Sequence, residues 1–374
     1  MDFTYDENQQ MLHDSIDRFL TDKHDLVARH KLIGDTAAQD RLWREMAELG
    51  WIGAAFPEEN GGFSTSPVDA MVVMERFGRH LVTAPYLTSA IVCGRVLVEA
   101  ERDELIEVVV AGDMRLALAA GSTHVLHSAQ DHSFTARAEG NGFVLDGRMP
   151  VVIGGDRADA FIVAARTSGE LGDRHGITLF LVDAAQVSRR PFRMIDQHGA
   201  AELVIEGLSL GGEAVIGEVD QGLPLVEAAL DHGIAGACGE ALGAMGHLVP
   251  ATAEYTRTRQ QYGAPLAKFQ VLQHRMADMY IQTETARSMT YVAALSLKGD
   301  ATARARTLSA AKAQVGKSGK FVGYQAIQLH GGMGVSEELD IGHHYIRLTT
   351  LNQLFGDPAF HWRRFAALSD RLAA

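Results

Sequence analysis

Arg257-Thr-Arg-Gln-Gln-Tyr-Gly-Ala-Pro-Leu-Ala-Lys-Phe-Gln270, followed later by Gln328-Leu-His-Gly-Gly-Met-Gly334, carries the signal that sets the fold of this chain. Gly331-Gly-Met-Gly334 looks like a glycine-rich dinucleotide loop, but that motif needs a strand before it and a helix after it. Here Val322 to Leu329 continue a helical pattern. The better reading has Gly331 ending a helix, with two residues lacking Cβ so that the backbone can approach a ligand closely. A glycine cap with no ligand is the alternative. Arg259 offers a forked cation suited to a diphosphate, and the Tyr262-Gly-Ala-Pro-Leu266 turn behind it would hold its helix end in place. A simply solvated arginine is the alternative there.

Working outward, helical periodicity governs residues 1–113: Leu12, Ile16, Phe19 and Leu20, then Leu42, Met46 and Leu49, recur at three- and four-residue spacing. Gly50 is a helix stop. Pro57-Glu-Glu-Asn-Gly-Gly62 breaks the pattern, its acidic pair Glu58-Glu59 reading as a solvated loop. Ser66-Pro-Val-Asp69 restarts it with an N-cap, a proline at the first helical position and an acid in the first turn. Over residues 114–221 the texture changes to short apolar runs, Phe161 to Ala164 and Ile177 to Val182 among them. Asn141-Gly142, Asp146-Gly147, Gly154-Gly155 and Gly211-Gly212 punctuate them. This is a β domain, a small barrel or a sandwich. Over residues 222–374 the helical period returns, with Phe269, Leu272, Met276, Met279 and Tyr280 on one face and strong helix formers from Ala301 to Ala313. Long helices with few prolines imply a bundle.

The length, 374 residues, allows two or three packed units, and 47% hydrophobic content supports a core. A net charge of −13, from 47 acidic and 34 basic residues, argues against nucleic acid or an anionic membrane surface as partner. Cys93 and Cys238 stand far apart, so neither a disulfide framework nor a zinc site is suggested. The acidic start Met1-Asp-Phe-Thr-Tyr-Asp-Glu7 is unlike a signal peptide, and no run reaches the roughly 20 apolar residues of a membrane span. The expectation is a soluble, cytoplasmic protein. His343-His344 invites a metal, but neighbours on one element point apart and Glu337, Glu338 and Asp340 stand at no recognised ligand spacing. No metal is expected.

The joint occurrence of Arg259, Tyr262-Gly263, Phe269-Gln270, Gln328 and Gly331-Gly332 resembles the FAD-holding motifs of the acyl-CoA dehydrogenases, over nearly the whole chain. The resemblance implies an α+β fold with an N-terminal helical domain, a middle β-barrel domain and a C-terminal four-helix-bundle domain. It implies FAD as cofactor, with Arg259, Gln261, Tyr262, Gln270, Gln328, Gly331 and Gly332 holding its pyrophosphate and adenosine. In that family these residues reach across a subunit interface to FAD seated in a neighbouring chain, most often within a tetramer packed through the C-terminal helices. The implied reaction is α,β-dehydrogenation of an acyl-CoA thioester, with an electron-transferring flavoprotein as electron acceptor. Gln273 and His274 follow on the same helix, as a flavin-side contact or as surface residues.

The family's base is usually a Glu in a Tyr-Glu-Gly-Thr type segment, which here reads Phe355-Gly-Asp-Pro358, so Gly356 stands in its place. The second known position falls on Gly233, followed by Ile234 and flanked by Asp231 and His232. Asp357 is the remaining catalytic candidate; an aspartate capping the next helix through Pro358 is the alternative. The Thr-Glu-Pro-Gly segment before the family's barrel is replaced by Ala119-Ala-Gly-Ser-Thr-His124, and its Trp-Ile-Thr turn over the flavin ring by Pro150-Val-Val152. Clamp without ring pocket is what one half of a heteromeric dehydrogenase would look like. The tail from Gly342 to His361 resembles the small subunits of bacterial pimeloyl-CoA dehydrogenases and related α2β2 enzymes acting on steroid side-chain CoA esters. A self-sufficient homo-oligomeric dehydrogenase using Asp357 or another carboxylate, and a non-catalytic binding protein of this fold, are the other readings.

Overall fold

The computed structural model describes residues 4–121 and 132–373. In chain order its helices are α1 (Glu7–Lys23), α2 (Leu26–Gly34), α3 (Thr36–Glu48), α4 (Pro67–His80), α5 (Gly94–Glu99), α6 (Asp103–Val110), α7 (Leu223–Thr258), α8 (Gln270–Ser296), α9 (Ala301–His330), α10 (Asp340–Gln353) and α11 (Pro358–Ala373). The strands are β1 (Leu116–Ala119), β2 (Phe134–Glu139), β3 (Gly142–Ile153), β4 (Ala160–Arg166), β5 (Ile177–Asp183), β6 (Ser188–Arg193), β7 (Gly199–Gly211) and β8 (Val215–Ile216), then β9 (Gln260–Gln261) and β10 (Ala264–Pro265). The chain forms two compact units. One comprises Met1–Asp35, Ser66–Val82 and Ile234–Ala374, the other Thr36–Thr65 and Thr83–Gly233. Helical, sheet and helical regions follow one another as the resemblance implies.

In the first unit, α4 begins where the sequence expects: the Ser66 hydroxyl accepts from the Val68 N–H, Asp69 accepts from the Ser66 N–H, and Pro67 opens the helix. Replacing Ser66 by Ala is expected to cost about 1 kcal/mol of stability, read by urea denaturation. The helix meets α7 almost backbone to backbone: a Cβ at Gly243 would lie 1.8 Å from Glu75 O, and one at Gly78 would lie 1.9 Å from Glu240 O. No side chain fits at either crossing. In α9 a glycine stripe admits α10 in the same way, since Cβ atoms at Gly319 and Gly323 would press on Leu348 (3.1 Å) and Tyr345 (3.0 Å). The buried Glu240 carboxylate is held by Arg347 of α10 through two 2.6 Å hydrogen bonds, pinning α10 to α7. With α8 and α11 packed on α9 as well, these segments make the C-terminal helical domain.

In the second unit, β1–β8 form an eight-stranded sheet with path β6-β7-β3-β2-β4-β5-β8, and β1 pairs in parallel with β4. No β6–β8 pair closes the path among the described residues, so the middle region is a β-sheet domain with two ladder ends. Phe134, Leu145, Phe161, Val163, Phe180, Val182 and Leu203 bury a single core against it. The β3–β7 register shifts between Met149 and Val152, placing Pro150 in an irregular stretch where its missing N–H costs the ladder nothing. Of the Ala119–His124 segment, Ser122, Thr123 and His124 lie outside the described residues. Among the described residues no helix is long and apolar enough to cross a membrane.

Candidate functional site

The quoted stretch leaves α7 at Thr258. The Arg259 N–H still bonds Tyr255 O (2.8 Å), and the Leu266 N–H returns to Arg259 O (2.9 Å), closing the loop. Between them β9 and β10 pair as a hairpin whose turn residues are Tyr262 and Gly263, both in the left-handed region at φ 54° and 76°. Glycine takes that conformation freely; a tyrosine there is uncommon. Tyr262 is 94% exposed and touches Phe269 edge-on at 6.3 Å. Gln270 opens α8, also exposed. Arg259 is exposed and has no side-chain partner among the described residues, whereas Gln261 turns back to the Gln260 carbonyl (2.8 Å). Gln273 donates to Ala267 O (2.8 Å), which ties it to the loop rather than leaving it free for a ligand, and His274 lies exposed.

The second motif docks beside the first. His330, at the end of α9, is buried and stacks on Tyr255 of α7 at 4.3 Å, and the Tyr255 hydroxyl donates to His330 O (3.3 Å). Gly331 then turns the chain at φ 60°, ψ −138°, a conformation essentially reserved for glycine. A Cβ on Gly331 or Gly332 would meet nothing within 4 Å, so the backbone there is bare to solvent. Gln328, one turn earlier, is exposed. Replacing Gly331 by Ala is expected to cost about 1–3 kcal/mol for backbone strain alone, measured by denaturation of the apoprotein. An exposed, unpartnered guanidinium and a bare glycine turn, on helix ends fixed by Tyr255 and His330, fit the phosphate end of a dinucleotide such as FAD.

The segment carrying the expected base is closed. Gly356 has φ 107°, and a Cβ there would lie 2.5 Å from Phe360 Cδ1 and 3.1 Å from His361 Nε2. Buried Lys312 reaches across from α9 and donates to Leu351 O (2.9 Å), Asn352 O (3.3 Å) and Gly356 O (3.1 Å). Burial pushes its amine down to about 8. Buried His361 donates through Nε2 to Phe355 O (3.0 Å). Asp357 accepts the Phe360 N–H at 2.7 Å, the capping role set out above as the alternative to catalysis. Of the second base position, Gly233 lies within α7, Asp231 is 2% exposed and His232 is half-buried.

His343 and His344 do point apart: His343 meets His30 edge-on at 5.2 Å, while buried His344 stacks on His247 at 4.4 Å. The expectation that Glu337, Glu338 and Asp340 stand at no ligand spacing overlooks Asp340: in the structure it stands one helical turn before His344 and brings its carboxylate to His247. The i, i+4 pair Asp340/His344 was the signal; His247, distant in sequence, left none.

Two family profiles match the chain: "Acyl-CoA dehydrogenase, N-terminal domain" over residues 6–107 and "Acyl-CoA dehydrogenase, C-terminal domain" over residues 220–367. The short-chain specific acyl-CoA dehydrogenase of Megasphaera elsdenii is 28% identical over 341 residues, 87% of each chain. Two solved structures superpose closely. The Tcur3481-Tcur3483 steroid ACAD does so at TM-score 0.87 and 25% identity, covering 98% of this chain and 99% of that one. The ChsE4-ChsE5 complex from Mycobacterium tuberculosis does so at TM-score 0.85 and 25% identity, covering 98% of each.

Proposed function

We propose that this chain, which belongs to the acyl-CoA dehydrogenase family of FAD-dependent oxidoreductases, is the subunit that grips the phosphate end of FAD in a heteromeric α2β2 enzyme whose partner subunit carries the catalytic base. One contrast carries the reading. Arg259, Tyr262, Gln270, Gln328, Gly331 and Gly332 stand on the surface, while position 356 has no room for a side chain. When bound, FAD supplies the acceptor for the hydride that leaves the β carbon of an acyl-CoA thioester. This chain's part is to bind and orient. Arg259 offers two parallel N–H donors to a diphosphate oxygen pair, the Gly331-Gly332 backbone allows close approach, and Gln261, Gln270 and Gln328 provide amide hydrogen bonds. Tyr262 offers a ring face. α-Proton removal then falls to a carboxylate of the partner, within hydrogen-bond reach of the α carbon.

The likeness to the Tcur3481-Tcur3483 steroid ACAD and the ChsE4-ChsE5 complex, each a pair of gene products, supports the paired assembly. We take the substrate class to be a dicarboxylyl or ring-bearing CoA thioester, the electron acceptor to be an electron-transferring flavoprotein and the compartment to be the cytoplasm.

The test is expression of the chain alone and with the neighbouring dehydrogenase gene, measuring bound flavin per chain and turnover of a panel of CoA thioesters. The expected result is half occupancy per chain and turnover in the pair only. An isolated chain that holds a full complement of flavin and oxidises thioesters overturns the reading. A pair that stays colourless turns it towards a binding protein of the same fold.

A further inference from the structure

We propose that His247, Asp340 and His344 form a binding site for one divalent transition-metal ion that staples the middle of α7 to the first turn of α10. The proposal rests on neither the flavin nor a partner subunit. One ligand atom from each of the three residues lies within 4.8 Å of the other two, and His247 Nε2 stands 2.8 Å from Asp340 Oδ2. That contact pairs the half-buried imidazole with the carboxylate directly, so both groups already converge on one point. His344 is 1% exposed, and its Nδ1 has no hydrogen-bond partner. A buried, unpartnered imidazole nitrogen beside a second imidazole and a carboxylate is an expensive arrangement unless something coordinates it.

The local geometry explains how the ligands assemble. Asp340 is the first residue of α10 and His344 lies four residues on, so both side chains share one face of the helix. His247 meets that face with its ring stacked on His344 at 4.4 Å and 23°. Bonds of about 2.0–2.1 Å in a tetrahedral site would set the donors roughly 3.3 Å apart. The side chains of His247 and Asp340, 24% and 36% exposed, can rotate to close the remaining distance on buried His344. Three protein ligands then leave a position for water.

The charges around the site are mixed. Asp340 brings the one carboxylate to the two imidazoles. Arg29 and His343 also face His344, and the Asp340 charge reaches His330. The nearby Arg29 cation weakens the site, and the anionic Asp340 offsets it. Two imidazoles and one carboxylate select zinc, cobalt or nickel over calcium or magnesium.

For the test, the untagged full-length protein is stripped with EDTA, alone and as the co-expressed complex, and titrated with Zn²⁺ alone, with Ca²⁺ as control. Bound metal is counted by elemental analysis and the thermal midpoint is followed. One saturable Zn²⁺ per chain is expected, raising the midpoint and reversed by EDTA. His247→Gln and Asp340→Asn should each weaken binding by about tenfold or more. Both substitutions fall on partly exposed side chains, so the metal-free variants should melt close to the metal-free wild type, and no substitution of buried His344 is needed. Zn²⁺ bound as tightly by His247→Gln and by Asp340→Asn as by the wild type overturns the site.

Discussion

Gly356→Glu is expected to destabilise the chain by about 2–5 kcal/mol and to confer no thioester oxidation on the isolated subunit. The magnitude has two sources. An L-residue in left-handed backbone costs about 1–2 kcal/mol, and forcing extra atoms into a filled site costs typically about 1–3 kcal/mol. Here the filled site is the Phe360 ring at 2.5 Å and His361 Nε2 at 3.1 Å from the new Cβ. The loop cannot easily yield, because Lys312 grips Gly356 O and His361 grips Phe355 O from opposite ends. Denaturation of the purified variant gives the first number, and a thioester panel gives the second. A variant as stable as wild type that turns over substrate on its own would sink both the steric account and the assigned division of labour.

Arg259→Ala is expected to weaken FAD retention by the co-expressed complex by about 10–100-fold, the loss of a charge-assisted contact of about 1.5–3 kcal/mol. Fold stability should not move, because the side chain is exposed and holds no partner among the described residues. Arg259→Lys should recover only part of the affinity, since an ammonium replaces the charge without the planar fork. Flavin off-rates by fluorescence recovery, beside apoprotein denaturation curves, separate the two effects. Equal off-rates for Arg259→Ala and wild type would remove Arg259 from the clamp.

Much of the architecture is legible in the sequence because it is written in local chemistry. Ser66-Pro67-Val68-Asp69 makes the capping box, and Gly331 ends α9 in a conformation other residues avoid. The Asn141-Gly142 and Asp146-Gly147 signals mark a turn and an irregular register of the sheet. What is not legible depends on partners distant in sequence. The ladder ends of the sheet follow from which strands meet, and alternation cannot report that. Nothing near Lys312 says that its amine will serve the carbonyls of another helix end, and nothing near Gly356 says that Phe360 and His361 fill the space a side chain would need. The paired histidines show the same limit: periodicity separates His343 from His344, but only the packing of α10 on α7 brings in His247.

The crowding around Gly356 also bears on what substitution can achieve there. A carboxylate could be placed at that position only if the backbone left its left-handed turn while Phe360 and His361 gave way and Lys312 found other carbonyls. Each of those steps taken singly lowers stability, and none alone brings activity. The position therefore resists single changes: a carboxylate there needs several compensating substitutions at once, not one.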